Sequence, residues 1–96
     1  MSDIVAAAVD ALSAKLGGEG IDGSAKFEIE GEGALIIDAD GVRAGDDDAD
    51  VTLTADADLF KDILSGDANP TSAFMSGKLK VDGDMGMAMK LASVLA

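Results

Sequence analysis

The stretch Ala25-Lys26-Phe27-Glu28-Ile29-Glu30 alternates apolar and charged residues with a period of two. That order suits an extended strand with one face in a core and the other in water. The chain must therefore build a sheet covered on one side. A cover lies just upstream: Val5, Val9, Leu12 and Leu16 recur at helical spacing, with Ile4, Ala8 and Ala11 alongside. Ser2 or Asp3 caps this first helix, and Gly17-Gly18 stops it.

Downstream, Gly31-Glu32-Gly33 reads as a turn before a second strand, Ala34-Leu35-Ile36-Ile37. Asp40-Gly41 is a hairpin signal that leads into a third strand at Val42–Ala44. Asp46-Asp47-Asp48 must form a solvated loop, because adjacent carboxylates repel one another. A fourth strand follows at Val51–Thr54. Asp56 then caps a helix with Leu59, Phe60, Ile63 and Leu64 on one face, closed by Gly66. Asn69 and Pro70 start a short helix that runs through Phe74-Met75 and ends at Gly77. The alternation in Lys78-Leu79-Lys80-Val81 predicts a fifth strand with both lysines outward. Asp82-Gly83 predicts a turn, and Asp84 caps a last helix.

Ninety-six residues without repeat or linker make one domain, residues 1–96. Hairpin-linked strands with helices towards both ends of the chain give an α+β fold: a single five-stranded sheet with helices on one face.

Composition narrows function. With no Cys and no His, disulfides, thiol and Ser-His-Asp catalysis and zinc sites of the His/Cys kind are excluded. Nineteen acids against seven bases, net −12, argue against nucleic acid and against anionic lipid over most of the surface. No run approaches the ~18 apolar residues of a membrane span. The chain reads as soluble, cytoplasmic and not an enzyme, with no cofactor. Its acidity suits either plain solubility or a saline surrounding that screens like charges.

Three motifs dissolve on inspection. Gly18-Glu19-Gly20-Ile21-Asp22-Gly23 fits G-x-G-x-x-G by letter, but a helix precedes it and a strand follows, the reverse of a pyrophosphate-binding turn. Asp46, Asp48 and Asp50 begin a calcium loop, yet Val51 stands where Gly is needed and Ala57 where Glu is needed. A carboxylate pair for hydrolysis is conceivable among nineteen acids, and nothing singles out two.

The C-terminal segment is different. Residues 1–75 carry 17 acids and 4 bases, whereas residues 76–96 carry 2 acids and 3 bases. On the last helix only Gly86, Lys90 and Ser93 are not apolar, leaving an apolar arc of about 220°, twice what a helix lying on a sheet needs. Met87, Leu91, Val94 and Leu95 form a bulky side that suits a core; Met85, Met89, Ala92 and Ala96 form a small or flexible one. Methionines at 75, 85, 87 and 89 suit either gap-filling or contact with pliable apolar ligands. The surplus apolar face needs a ligand, a second subunit or a membrane.

The run from Asn69 to Leu91 resembles the sterol carrier protein type 2 family. Pro70, Ala73-Phe74, Gly77-Lys78-Leu79, Gly83-Asp84-Met85 and Ala88-Met89-Lys90-Leu91 carry the likeness. So do the Asp-led helix at 56–66 and, less specifically, the order of elements. The resemblance implies an apolar tunnel between sheet and helices, and a non-catalytic protein that binds and transfers fatty acids, fatty acyl-CoA, sterols or other lipids. Met85, Met89 and Ala92 would face the tunnel, with Phe60, Ile63, Leu64, Phe74, Met75, Leu79 and Val81 as other walls. Lys78, Lys80 and Lys90 are candidates for an anionic head group; otherwise they are surface lysines that serve solubility. The chain lacks the peroxisomal Ser-Lys-Leu ending of many relatives and reads as a stand-alone version. The expected partners are an apolar ligand and, transiently, membranes or lipid-metabolising enzymes, with the protein a monomer or weak homodimer. The competing reading is an interaction module that dimerises through its last helix.

Overall fold

Strand β1 (Ala25–Ile29) buries Ala25, Phe27 and Ile29 and leaves Lys26 and Glu28 half-buried, as its alternation requires. It lies in the middle of a five-stranded sheet ordered β3-β2-β1-β4-β5, formed with β2 (Gly33–Asp38), β3 (Gly41–Ala44), β4 (Val51–Ala55) and β5 (Lys80–Gly83). The computed structural model describes residues 3–17 and 20–95, and for Val94 and Leu95 the backbone only. The Ser2 cap, the Gly18 stop and the start of the G-x-G-x-x-G match therefore lie outside the described residues. So do the side chains of Val94 and Leu95, and Ala96.

β1 pairs antiparallel with β2 and parallel with β4; β2–β3 and β4–β5 are antiparallel. Four helices complete the α+β fold: α1 (Asp3–Lys15), α2 (Ala57–Ser65), α3 (Pro70–Met75) and α4 (Met85–Leu95). The core joins Phe27, Leu35 and Leu53 of the sheet's inner face to Val5, Ala8 and Leu12 of α1, Phe60 and Ile63 of α2 and Leu91 of α4. Phe27 and Phe60 meet edge to face, ring centres 5.2 Å apart. Each buried Val, Leu, Ile or Phe among them contributes about 1.5–3 kcal/mol of transfer free energy.

The helix ends follow local chemistry. Asp56 accepts a hydrogen bond from the Leu59 N–H at 2.7 Å, and Gly66 ends α2 at φ 86°, a left-handed conformation costly for other residues. The Asn69 side chain accepts from Thr71 N–H at 2.8 Å and Ser72 N–H at 3.2 Å, with Pro70 in the first turn. Asp84 accepts from the Met87 N–H at 3.2 Å at the start of α4.

The acidic loop is more than a solvated connection. Leading from edge strand β3 to β4 on the far side of β1, it crosses the sheet face opposite the helices. Asp46 accepts a 2.9 Å hydrogen bond from Lys26 Nζ on that outer face. Asp50 and Ser24 exchange two bonds, Ser24 N–H to the carboxylate at 3.1 Å and Asp50 N–H to the hydroxyl at 3.0 Å. Ile36, whose parity points it outward, is only 2% exposed.

The C-terminal strand differs from expectation. β5 begins at Lys80, two residues late, because Lys78 N–H and Leu79 N–H both donate to the Ala73 carbonyl, at 2.9 and 3.1 Å. Those bonds fold residues 78–79 against the end of α3, although Leu79 still turns inward as the alternation requires. Asp82-Gly83 is strand rather than turn: Asp82 pairs with Thr52 and Gly83 with Val51. Glycine is needed there for space as well as for its φ of 109°, since a Cβ would stand 2.5 Å from the Asp50 carbonyl oxygen.

Candidate functional site

α4 presents two alanines and one leucine to the sheet among its described side chains. Ala88, Leu91 and Ala92 are the buried ones among its described side chains, while Met85 and Met89, one turn apart, are 43% and 50% exposed. On that flank α4 faces α3 across an apolar cleft. Met85, Ala88, Met89 and Ala92 form one wall; Pro70, Thr71 and Phe74 of α3 form the other. Leu53, Leu79 and Val81 form the floor on the sheet side. Among the described lining residues the Thr71 hydroxyl is the sole polar side-chain group. The space left inside is about 20 Å³, room for one water-sized body.

Six of the ten expected wall residues meet here: Phe74, Leu79, Val81, Met85, Met89 and Ala92. The other four do not. Phe60 and Ile63 are fully buried in the core. Leu64 borders a separate groove of about 410 Å³ between α2 and α1, beside Ile4, Ala7 and Ala11. Met75 is 81% exposed and turns away from the cleft, because α3 already directs Phe74 and Ala73 inward. Four cleft residues were absent from the sequence expectation: Leu53, Pro70, Thr71 and Ala88. Ala88 was findable, one turn before Ala92 on the same face. Leu53 follows only from its register opposite Val81.

The opposite flank of α4 borders a wider hollow of about 280 Å³, where Met87, Lys90 and Leu91 face Ile21 and Asp22 of the α1–β1 connection. Lys78 and Lys80 line neither opening. All three lysines are exposed, and none has a carboxylate within 4.0 Å among the described residues. Displaced titrations occur at the β2–β3 hairpin and the outer sheet face. Arg43, hydrogen-bonded to Asp38 and assisted by the Asp40 N–H, holds the Asp38 carboxyl below its usual range. Asp38 in turn raises Arg43, and the hydrogen bond to Asp46 raises Lys26.

Among the described residues no polar or charged side chain is fully buried, and no three His, Cys, Asp or Glu are grouped to hold a metal. None of the described helices is long and apolar enough to cross a membrane. The cleft's chemistry is accordingly that of apolar contact with adaptable walls.

Known proteins share this fold. Hydroxysteroid dehydrogenase-like protein 2 of Danio rerio is 40% identical over 79 residues, 74% of this chain and 19% of that protein. The chain spans about a fifth or less of the length of the curated relatives it matches. The crystal structure of sterol carrier protein 2 like 2 from Aedes aegypti superposes with a TM-score of 0.77 at 25% identity, covering 95% of each chain. The solution structure of sterol carrier protein 2 from Aedes aegypti, in complex with the C16 fatty acid palmitate, gives 0.77 at 22% identity, covering 100% of this chain and 97% of that one. The family model of SCP-2 sterol transfer matches residues 7–96. With the family model covering residues 7–96 and the fold shared with solved structures, the chain belongs to the SCP-2 sterol transfer family.

Proposed function

We propose that residues 1–96 act as one non-catalytic lipid-binding and lipid-transfer domain, which takes a fatty acid, fatty acyl-CoA or other lipid beneath α4. The observation that carries this reading is the distribution of size on α4: among its described side chains Ala88 and Ala92 flank Leu91 against the sheet, and long methionines stand at the edge. Such a helix leaves room beneath it once its flanks move. Met85 and Met89 can swing through three side-chain bonds each, and Phe74 moves with a six-residue α3. Opening the cleft from about 20 Å³ is thus a side-chain and short-helix rearrangement that leaves the core intact. Burial of eight methylenes supplies about 6 kcal/mol before ordering costs, and discrimination between chain lengths is weak. Lys90, at the hollow on the far flank, would meet the carboxylate or CoA phosphate of a ligand that passes beneath α4. The palmitate held by the Aedes aegypti relative supports this ligand class.

Native mass spectrometry with lipid extraction, followed by titration with a fluorescent fatty acid, tests the reading. One bound fatty acid or similar lipid is expected, displaced competitively by palmitate. A bare chain that also ignores the probe would overturn it. The exposed Met85 and Met89 favour one alternative, a module that dimerises through α4. It predicts a bare dimer whose mass falls on dilution.

A further inference from the structure

Every large apolar side chain left exposed among the described residues is a methionine: Met75, Met85 and Met89, at 81%, 43% and 50%. The described leucines, isoleucines, valines and phenylalanines are all buried or half-buried. Volume does not demand that choice, because leucine fills a similar space and resists oxidation. Thioether sulfur is also the one readily oxidised group the chain carries, with five Met and no Cys, Trp, Tyr or His. An oxidant therefore meets no thiol that would draw it off, and two of the exposed methionines stand in one wall of the cleft. Met87 differs from them. It is half-buried, packs against the core and lies over Gly23, where a Cβ would stand 3.1 Å from its sulfur.

We infer that Met85 and Met89 form a reversible oxidation site through which peroxide makes the cleft give up its lipid, an inference that rests on the lipid-carrier reading. The sulfur lone pair attacks one peroxide oxygen, the O–O bond breaks and an S–O bond forms. The proton on the transferred oxygen passes to the departing hydroxide, which leaves as water. Sulfur loses two electrons and the peroxide gains them. A flexible apolar side chain thereby becomes a strongly polar one. The only polar side-chain group among the described lining residues is the Thr71 hydroxyl, so two sulfoxides beneath an acyl chain lack the donors that would offset their lost water. Either they displace methylenes of the ligand, or they turn out to solvent and take part of the wall with them. Both routes lower affinity. Thiol-dependent sulfoxide reductases reverse the change: two thiols become a disulfide, the sulfoxide oxygen leaves as water, and the thioether returns.

The experiment treats the full chain with hydrogen peroxide, locates sulfoxides by peptide mass spectrometry, and titrates a fluorescent fatty acid before and after. Met75, Met85 and Met89 should oxidise ahead of Met87, and palmitate should slow the reaction at Met85 and Met89 but not at Met75. Conversion of Met85 and Met89 should lower fatty acid affinity about tenfold. Methionine sulfoxide reductases A and B with dithiothreitol, one enzyme for each sulfoxide epimer, should restore it. Met85→Leu combined with Met89→Leu, whatever its starting affinity, should show no further change on peroxide treatment. Met75→Leu should lose affinity on treatment as the parent does. Circular dichroism should find the oxidised chain still folded at the assay temperature. Unchanged affinity with both cleft sulfurs oxidised would overturn the inference. So would a loss that persists in the double variant, or one that accompanies unfolding. The untreated titration separates the two readings. No uptake before peroxide sinks the carrier and the switch together, whereas equal uptake before and after sinks the switch alone.

Discussion

Helices α1 and α4 are both rich in alanine and aliphatic residues and lie against the same sheet, yet they distribute size in opposite ways. α1 turns Val5, Ala8 and Leu12 into the core and leaves Ala6, Ala7 and Ala14 in water. α4 turns Ala88, Leu91 and Ala92 inward and leaves Met85 and Met89 half in water. The first arrangement fills its share of the interior. The second covers its share loosely and keeps flexible side chains at the seam. The order of large and small residues around the axis separates the two helices.

That contrast can be broken at several points. The largest effect is expected from Leu12→Ala, which empties a fully buried site in α1 and should cost about 2–5 kcal/mol in denaturant unfolding while leaving fatty acid affinity unchanged. Enlarging small residues sharpens the comparison. Ala8→Leu should cost about 1–3 kcal/mol by overpacking the core. Ala92→Leu should cost less than Ala8→Leu and instead lower ligand stoichiometry in the fatty acid titration. Equal stability losses would erase the distinction between the helices. Met89→Trp should weaken fatty acid binding about tenfold with the melting curve preserved; a large loss of stability with normal binding would put Met89 in the structural core. Asn69→Ala removes the α3 cap and should cost about 1 kcal/mol, with faster ligand release read by stopped flow.

The smallest effect concerns pH. The Asp38 carboxyl is held below its unfolded value by Arg43, so its contribution to stability is complete above the ordinary Asp pKa of about 3.9. It disappears as pH falls through the lower folded value. Asp38→Asn should flatten that part of the acid unfolding curve and leave ligand binding near neutrality untouched.

Much of this architecture was legible because it is local. Asp56 with Gly66, and Asn69 with Pro70, mark helix ends by bonds that span two to four residues. The period of β1 needs no partner to be read. What escaped depends on distant groups. β5 starts late because the Ala73 carbonyl takes two N–H groups that alternation assigns to a ladder. The Lys26–Asp46 bond joins residues twenty apart, and no spacing rule foretells it. Of the expected walls, Phe60 and Ile63 carry the same apolar signal as Phe74 and Val81. Only the packing of α2 onto Phe27 sends the former into the core. Met75 lies outside the cleft for a related reason: in a six-residue helix, one residue's rotation decides which side chain meets the sheet.

The crossing of the acidic loop bears on the order of assembly. β1, β2 and β3 are consecutive antiparallel strands and close through short turns, whereas β4 joins β1 in parallel only after the chain has travelled back across the sheet. Pairing β4 with β1 closes a longer stretch of chain than the turns of the meander do and carries a modestly larger entropic penalty. The meander should therefore form first and serve as a template, with β4, β5 and α4 added to it. Pulsed hydrogen exchange should find amide protection in Lys26–Ile37 ahead of Val51–Ala55, and simultaneous protection would refute that sequence. A nascent chain would then complete its cleft last, after the tightly filled half of its interior already exists.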